Sequence, residues 1–588
     1  MRHVVLVTID TLRADRVGAY GYAAARTPHI DALARGGSRF DLAFATAPVT
    51  LPSHASLMTG RYPAGHGARH NGIRIDMQTP TLAESFARSG FATGGFVAAF
   101  PLDRRFGLIK GFQTYGDSLP RGPGGRVANE RPGRAVVDEA LAWAAAHRAD
   151  RMFLWVHLFE PHAPYGNPAD PAQAARPVSA RYDDDVAEAD VQVGRLVSGL
   201  GLDRTQTLFV VAGDHGEAFG EHGEISHSLF VYDTTLRVPL IVAGPGVAAG
   251  EVIRRPVSLV DVAPTIAALA GLPPFDADGT RLFDSSVSAS VSARPLYAET
   301  FAPLLDFGWS PLRTIRADGW KYIAAPTPEL YDLGKDPSET RNVVKTEPAR
   351  AAALARQVDA IGPATISASA AAVDRDSLAR LQSLGYAAGH PGKTTDRPDP
   401  KDRRELAGLL ARVTSGELQG PILERTLREI LRADPRNPQA NVRLGYVLLG
   451  SDRCVEAVRR FDAAIAGGLP GADAHLGRAA CETASKRLDA AARTLSEAEA
   501  LEPDNPVVIA NLGLVLSDGG TPAAAIPLLQ RALTIDPDLH QARFGLAIAY
   551  ARTGRREDAA NAARELLRRI PPDAPQRSEI ERLLAELR

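Results

Sequence analysis

The chain of 588 residues has only two cysteines, Cys454 and Cys481, which excludes a disulfide framework. Both stand late, in helical-looking sequence, and read as core thiols. No apolar run reaches the ~18 residues that a membrane-spanning helix needs. The longest candidate, Val238 to Val247, is cut by Pro239, Gly244, Pro245 and Gly246. Neither sign of charge is in excess: 67 Lys and Arg face 69 Asp and Glu, a net of −2. A nucleic-acid partner, whose phosphates demand a strongly basic surface, is therefore not expected, and neither is a membrane span. A charged n-region followed by an apolar h-region is missing too, because the strand-like run His3 to Ile9 begins at once. The chain as written is expected to be cytoplasmic, or periplasmic if the true start lies upstream. What remains, 45% apolar and 23% charged, is a globular composition.

Three zones follow. From 1 to 345, compact apolar runs (Val4–Ile9, Phe153–Leu158, Leu208–Ala212, Leu240–Ala243) alternate with helical stretches such as Thr81–Ser89, Arg134–His147 and Asp261–Ala270. This is the pattern of an α/β domain with a largely parallel, buried sheet. Thr27-Pro28 supplies a hydroxyl N-cap and a proline at the first helical position of another helix. Residues 346–400 turn Ala/Ser-rich and end in Lys393-Thr394-Thr395-Asp396-Arg397-Pro398-Asp399-Pro400, which reads as a linker. From 401 to 588, Pro435, Pro470, Pro503, Pro537 and Pro571 recur every 33 to 35 residues, with Leu444-Gly445, Leu476-Gly477, Leu512-Gly513 and Phe544-Gly545 between them. Residues 577–588 make a polar amphipathic helix suited to cap an array.

The first zone carries the chemistry. Asp10 falls at the carboxyl end of the first strand, where open α/β sheets bind ligands. Pro52 is placed to open a helix that Gly60 closes, which puts Thr50 just before its N-terminus. There a hydroxyl faces unpaired N–H groups and the positive end of the dipole. Asp214-His215 also emerge after a strand, so two carboxylates and an imidazole offer a mixed O/N site for a divalent metal. Glu217 and Glu221, four residues apart, read as a solvated helix face. His157, His162 and His227 are the remaining candidates for proton transfer.

The 34-residue period resembles the tetratricopeptide repeat, an all-α solenoid whose concave face holds a protein or peptide ligand. The first zone resembles the sulfatase branch of the alkaline-phosphatase superfamily. The resemblance rests on Asp10, Thr27-Pro28-His29-Ile30-Asp31, Leu57-Met58-Thr59-Gly60-Arg61, Phe159-Glu160-Pro161-His162, Asp214-His215-Gly216-Glu217, Arg237-Val238-Pro239-Leu240 and Val260-Asp261-Val262-Ala263-Pro264-Thr265. Lys321-Tyr322-Ile323 and Glu329-Leu330-Tyr331-Asp332-Leu333 resemble that family's carboxy-terminal strands. The implied fold is a mixed sheet sandwiched by helices.

Three departures alter what the resemblance implies. Sulfatases oxidise a Cys or Ser nucleophile to formylglycine; Thr50 is a secondary alcohol and can yield only a ketone. His54 replaces the arginine that steadies that nucleophile, and Thr11 replaces a second aspartate. The loss of an anionic ligand favours Mn²⁺ or Zn²⁺ over Ca²⁺ or Mg²⁺, as one ion, because the second zinc's Asp-x-x-x-His pair is missing. Asp10, Asp214, His215 and Thr50 are then the expected metal ligands. Thr50 is the expected nucleophile, His162, His157 or His227 the proton donor, and His54 and Asn71 substrate contacts. The expected reaction is hydrolysis or transfer of a small phosphate or phosphonate ester. The alternatives are a sulfatase working without formylglycine and a catalytically silent scaffold acting through its repeats.

Overall fold

The computed structural model describes residues 1–588 except 121–127, 168–169, 275, 284–293, 366–396, 415–417, 468–471, 504, 538, 571–575 and 588. These residues form two compact units, Met1–Leu119 with Asn129–Leu418, and Pro120–Ala128 with Gln419–Arg588.

The first unit is built on an eight-stranded sheet. In chain order its strands are β1 (His3–Ile9), β2 (Ser38–Phe40), β4 (Ala92–Phe96), β5 (Thr114–Gly116), β6 (Met152–Leu158), β7 (Thr207–Gly213), β9 (Leu240–Ala243) and β10 (Glu251–Ile253), and in space they run β10-β2-β9-β7-β1-β6-β4-β5. The short strands β3 (Ala43–Phe44), β8 (Arg237–Val238) and β11 (Val257–Ser258) form a second sheet. The four expected strands are present and the sheet is largely parallel, made mixed by β9, which runs antiparallel to both β7 and β2. The chain returns from β7 to β9 through an irregular segment with only short helical turns, and an antiparallel neighbour needs no crossover helix.

β1 is central and buried along its whole length, paired in parallel with β6 on one side and β7 on the other. Its register sets Thr8 beside His157 and Ile9 beside Gly213. Asp10 and Asp214 therefore leave the sheet at one level, each tied back by a backbone bond, Asp10 N–H to Leu158 and Asp214 N–H to Ile9. The core between sheet and helices gathers Val5, Val7, Ile9, Val136, Trp143, Leu154, Tyr182 and Val193.

Helix ends follow local chemistry. Thr81 and Glu84 form a capping box, so the expected stretch Thr81–Ser89 is the helix Leu82–Arg88 between its two caps. Thr27 does not cap: its hydroxyl accepts from Gly18 N–H at 2.9 Å and donates to Asp31 at 3.2 Å. Pro28 still occupies the first turn.

After the main sheet come the antiparallel strands β12 (Leu296–Thr300), β13 (Leu312–Ala317), β14 (Trp320–Ala324) and β15 (Glu329–Asp332). The 346–400 stretch, expected as a linker and a tail segment of the preceding domain, is packed in part on the first unit. The helix Pro348–Ile361 buries Ala351, Leu354 and Val358 against Ile315, Tyr322 and Leu330. Lys393–Asp396 lie outside the described residues, but Arg397–Asp399 are docked, with Ser310 N–H on Pro398 O at 2.9 Å and Thr327 N–H on Asp399 at 2.9 Å. The unit continues past 401 to Leu418, where Arg404 reaches the Tyr232 hydroxyl at 2.9 Å.

The second unit is all helical. The pairs are Pro438–Leu449 with Cys454–Ala466, Asp473–Ala484 with Leu488–Leu501, Pro506–Asp518 with Pro522–Ile535, and His540–Arg552 with Arg556–Arg569; Arg577–Glu586 follows. The repeated glycine has a steric cause: a Cβ at Gly477 would come within 2.3 Å of the Phe461 ring, and one at Gly513 within 2.8 Å of Leu529. Pro435, Pro503 and Pro537 stand between helices, whereas Pro470 and Pro571 lie outside the described residues. Among the described residues no helix is long and apolar enough to cross a membrane.

Candidate active site

The helix Thr50–Thr59 brings the nucleophile candidate to the end of β1. Val49, extended, is its N-cap, and Gly60 closes it at φ +67°. Thr50 is thus the first helical residue rather than the one before the helix. Pro52 sits in the first turn, where its missing N–H costs nothing. Ser53 ties this turn to Asp214 by donating to its backbone carbonyl at 2.5 Å.

Asp10, Asp214 and His215 are fully buried, and one ligand atom from each lies within 4.8 Å of the others. His215 Nε2 is 3.7 Å from Asp10 Oδ1 and 3.5 Å from Asp214 Oδ2. Both oxygens of Asp10, Asp214 Oδ2, His215 Nε2 and Thr50 Oγ1 are buried without a hydrogen-bond partner. Such atoms are costly unless something satisfies them, and an O/N set of two carboxylates, an imidazole and a hydroxyl suits a divalent cation. The surroundings fix these donors. Asp214 Oδ1 accepts N–H bonds from Thr11 (3.0 Å) and His215 (2.7 Å), and His215 Nδ1 donates to Gly216 O at 3.0 Å, leaving Nε2 unprotonated. Burial raises the pKa of Asp10 and Asp214 and lowers that of His215, as expected for ligands stripped of water. No side chain fits at position 216, where a Cβ would meet Thr234 O at 2.3 Å.

His54 is fully buried and committed at both nitrogens. Nδ1 donates to Thr50 O at 2.8 Å; Nε2 accepts from the Thr8 hydroxyl at 2.9 Å, and that oxygen accepts from Trp155 Nε1 at 3.0 Å. His157 Nδ1 accepts from Ala98 N–H at 3.3 Å and its Nε2 faces Asp10 Oδ2 at 3.4 Å. Asn71 Oδ1 accepts from Leu51 N–H at 2.9 Å, which orients the amide and leaves Nδ2 buried without a partner.

His162 and His227 meet edge to face, ring centres 5.1 Å apart, and His227 lies 4.6 Å from His215. Their environments differ. His162 stacks on Phe159 and bonds Ala163 O through Nδ1; burial brings its pKa down to about 4. Burial also acts to lower His227, but the Glu217 carboxylate at 3.2 Å outweighs it and the net shift is upward.

Glu217 is the residue that the reading of spacing misplaces. It lies in an irregular segment, fully buried, accepting from Tyr165 OH at 2.7 Å. Glu221 is not a free solvated carboxylate either: it accepts from Arg13, at 2.8 Å, whose guanidinium also holds Glu217 O and Asp15. Gly216 and Gly220 break the helix on which the i, i+4 expectation rested. Thr8 and Trp155 carried no motif, and Glu217 stood in the Asp214-His215-Gly216-Glu217 motif without a role; Thr8, two residues before Asp10 on β1, shares its face of the strand.

The Sulfatase family model matches residues 2–272, and the model for the N-sulphoglucosamine sulphohydrolase C-terminal region matches 220–360. Tetratricopeptide-repeat models match 442–506 and 516–587. Arylsulfatase K of Xenopus laevis is 24% identical over 418 residues, covering 57% of this chain and 77% of its own. The choline-sulfatase of Rhizobium meliloti is 25% identical over 430 residues, covering 58% and 82%. Among solved structures, the phosphonate monoester hydrolase of Agrobacterium radiobacter superposes with a TM-score of 0.51 at 23% identity, covering 61% of this chain and 95% of that one. At that identity the likeness speaks for the fold.

Proposed function

Taking as premise that this chain is a sulfatase-family hydrolase carrying tetratricopeptide repeats, we propose that it cleaves a phosphate or phosphonate ester with Thr50 as nucleophile. The observation that carries this reading is the buried, partnerless Thr50 Oγ1 at a helix N-terminus tied to the Asp10, Asp214, His215 cluster. Asp10, Asp214, His215 and Thr50 would hold one divalent ion, Mn²⁺ or Zn²⁺ in preference to Ca²⁺ or Mg²⁺, given one imidazole and two carboxylates. Bound there, such an ion lowers the pKa of the hydroxyl and offsets charge on a non-bridging oxygen.

The chain's own groups divide the remaining work. Thr50 Oγ1 displaces the leaving alcohol and carries the phosphoryl or phosphonyl group as a threonine ester until water, or an acceptor alcohol, removes it. His227, whose pKa the Glu217 carboxylate raises, gives its proton to the leaving oxygen. His162, kept neutral by burial with its Nδ1–H on Ala163 O, takes a proton from the incoming water. Environments that push two pKa values apart assign the acid and the base. The Asn71 amide, oriented by Leu51 N–H, donates to an equatorial oxygen. His54, engaged on both nitrogens, acts by positioning Thr50, and His157, held at Nδ1 by Ala98 N–H with Nε2 facing Asp10, stands beside the metal ligands.

A sulfate ester is the second reading, favoured by the sulfatase relatives. Parallel assays with nitrophenyl phosphate, phosphodiester, phosphonate and sulfate, alongside elemental analysis, test both. Turnover of sulfate alone would falsify the phosphate reading. A chain that binds no stoichiometric metal and gains nothing from Mn²⁺ or Zn²⁺ supports a silent scaffold. The repeats are proposed to hold a protein or peptide segment.

A further inference from the structure

Both cysteines lie in the repeat unit, outside the chemistry described above. Cys454 opens the helix Cys454–Ala466, and Cys481 lies in the last turn of the next helix, Asp473–Ala484. The connection 467–472 is short, so the two helices are antiparallel neighbours and the start of one lies beside the end of the other. Gly477 lets them approach closely, its missing Cβ leaving room for the Phe461 ring. At that end of the pair Cys454 and Cys481 come side by side, near enough for the two thiols to act on each other. Both are free; Cys481 is buried and Cys454 partly exposed.

A core thiol needs no second sulfur beside it, and this chain has just two in 588 residues. We propose that Cys454 and Cys481 form a reversible thiol–disulfide modification site that staples adjacent helix pairs of the repeat array. The two helices belong to different pairs, one packed with Pro438–Leu449 and the other with Leu488–Leu501. The bond thus closes the interface between neighbouring repeats, on which the cohesion of a solenoid depends. The oxidant is a small disulfide of the glutathione type. The Cys454 thiolate attacks one of its sulfurs, breaking that S–S bond and expelling one glutathione thiolate. Cys481, after losing its proton to water, attacks the Cys454 sulfur of the mixed disulfide and expels the second. Two thiols and one glutathione disulfide become one protein disulfide and two glutathione thiols. Burial, then the neighbouring Cys454, pushes the Cys481 thiol up to about 12, which makes it the second sulfur to react rather than the first.

The test is incubation of the full chain with oxidised glutathione, followed by a reductant. Expected are a mass lower by two hydrogens, loss of both thiols titratable after denaturation, and a linked peptide pair carrying both cysteines. The melting transition of the repeat unit should rise by roughly 5–10 °C and return on reduction. Cys454→Ser, at a partly exposed position, should fold and show neither change. Two thiols that remain titratable, arrest at a glutathione adduct on Cys454, or a cross-link that leaves melting unmoved would overturn the proposal.

Discussion

At the scale of single residues, the site is organised around atoms that have nothing of their own to bond. Thr50→Ala removes the attacking oxygen while keeping the helix N-terminus, so turnover should fall by about 10⁴-fold or more with an unchanged fold. Circular dichroism and single-turnover assays check this. Glu217→Gln should act differently. Without the carboxylate, His227 loses the largest influence that opposes burial, Asp10 and Glu224 acting more weakly, and its pKa drops. A proton donor works below its pKa, so the alkaline limb of kcat against pH should move to lower pH while the variant stays folded. A limb that does not move would remove His227 from the donor role. Asp10, Thr50 and Asp214-His215 were legible in the sequence because each stands at a strand end or helix start that local pattern reveals. Glu217, Thr8 and Trp155 were not, since their importance comes from partners such as His227 and His54 that lie far away along the chain.

At the scale of elements, β13 and β14 are joined to the main body by a compact ion cluster. Asp233 accepts from Lys321 Nζ at 2.8 Å and from Arg316, and Lys321 also meets Glu339 at 2.5 Å. Burial acts to raise the Asp233 carboxyl, but Arg316 and Lys321 prevail and hold it below its ordinary value. The stability this provides is present above pH ~4 and is lost as pH falls toward the lowered pKa. Asp233→Asn should destabilise the protein by about 3 kcal/mol at neutral pH and flatten the acid limb of its stability profile, as read by denaturant titration. The four main strands were readable as apolar runs. The antiparallel course of β9 was not, because a run such as Leu240–Ala243 is buried on both faces and carries no mark of direction.

At the scale of the molecule, the boundary between units falls where composition gives no warning. Arg397-Pro398-Asp399-Pro400 look like a hinge, yet Asp399 is buried, bonding Thr327 N–H and Lys401. Truncation after Leu418 should therefore keep soluble enzyme that turns over small esters. Truncation after Pro400 removes Lys401 and Arg404, and should give poorly soluble protein melting several degrees lower, since buried charges lose their partners. Expression yield and thermal melting of the two pieces separate these outcomes.

The chain of contacts from Trp155 through Thr8 and His54 to the Thr50 carbonyl has a bearing on any attempt to re-equip this protein. The pocket that an arginine would need is already filled by an indole, a hydroxyl and an imidazole whose donors and acceptors match in one direction only. Placing a cysteine at position 50 to invite aldehyde chemistry keeps the backbone carbonyl and so leaves this chain of contacts, with no guanidinium in it, as it is. Restoring a guanidinium at 54 would strand the Thr8 hydroxyl against a donor, so positions 8, 54 and 155 have to be exchanged together.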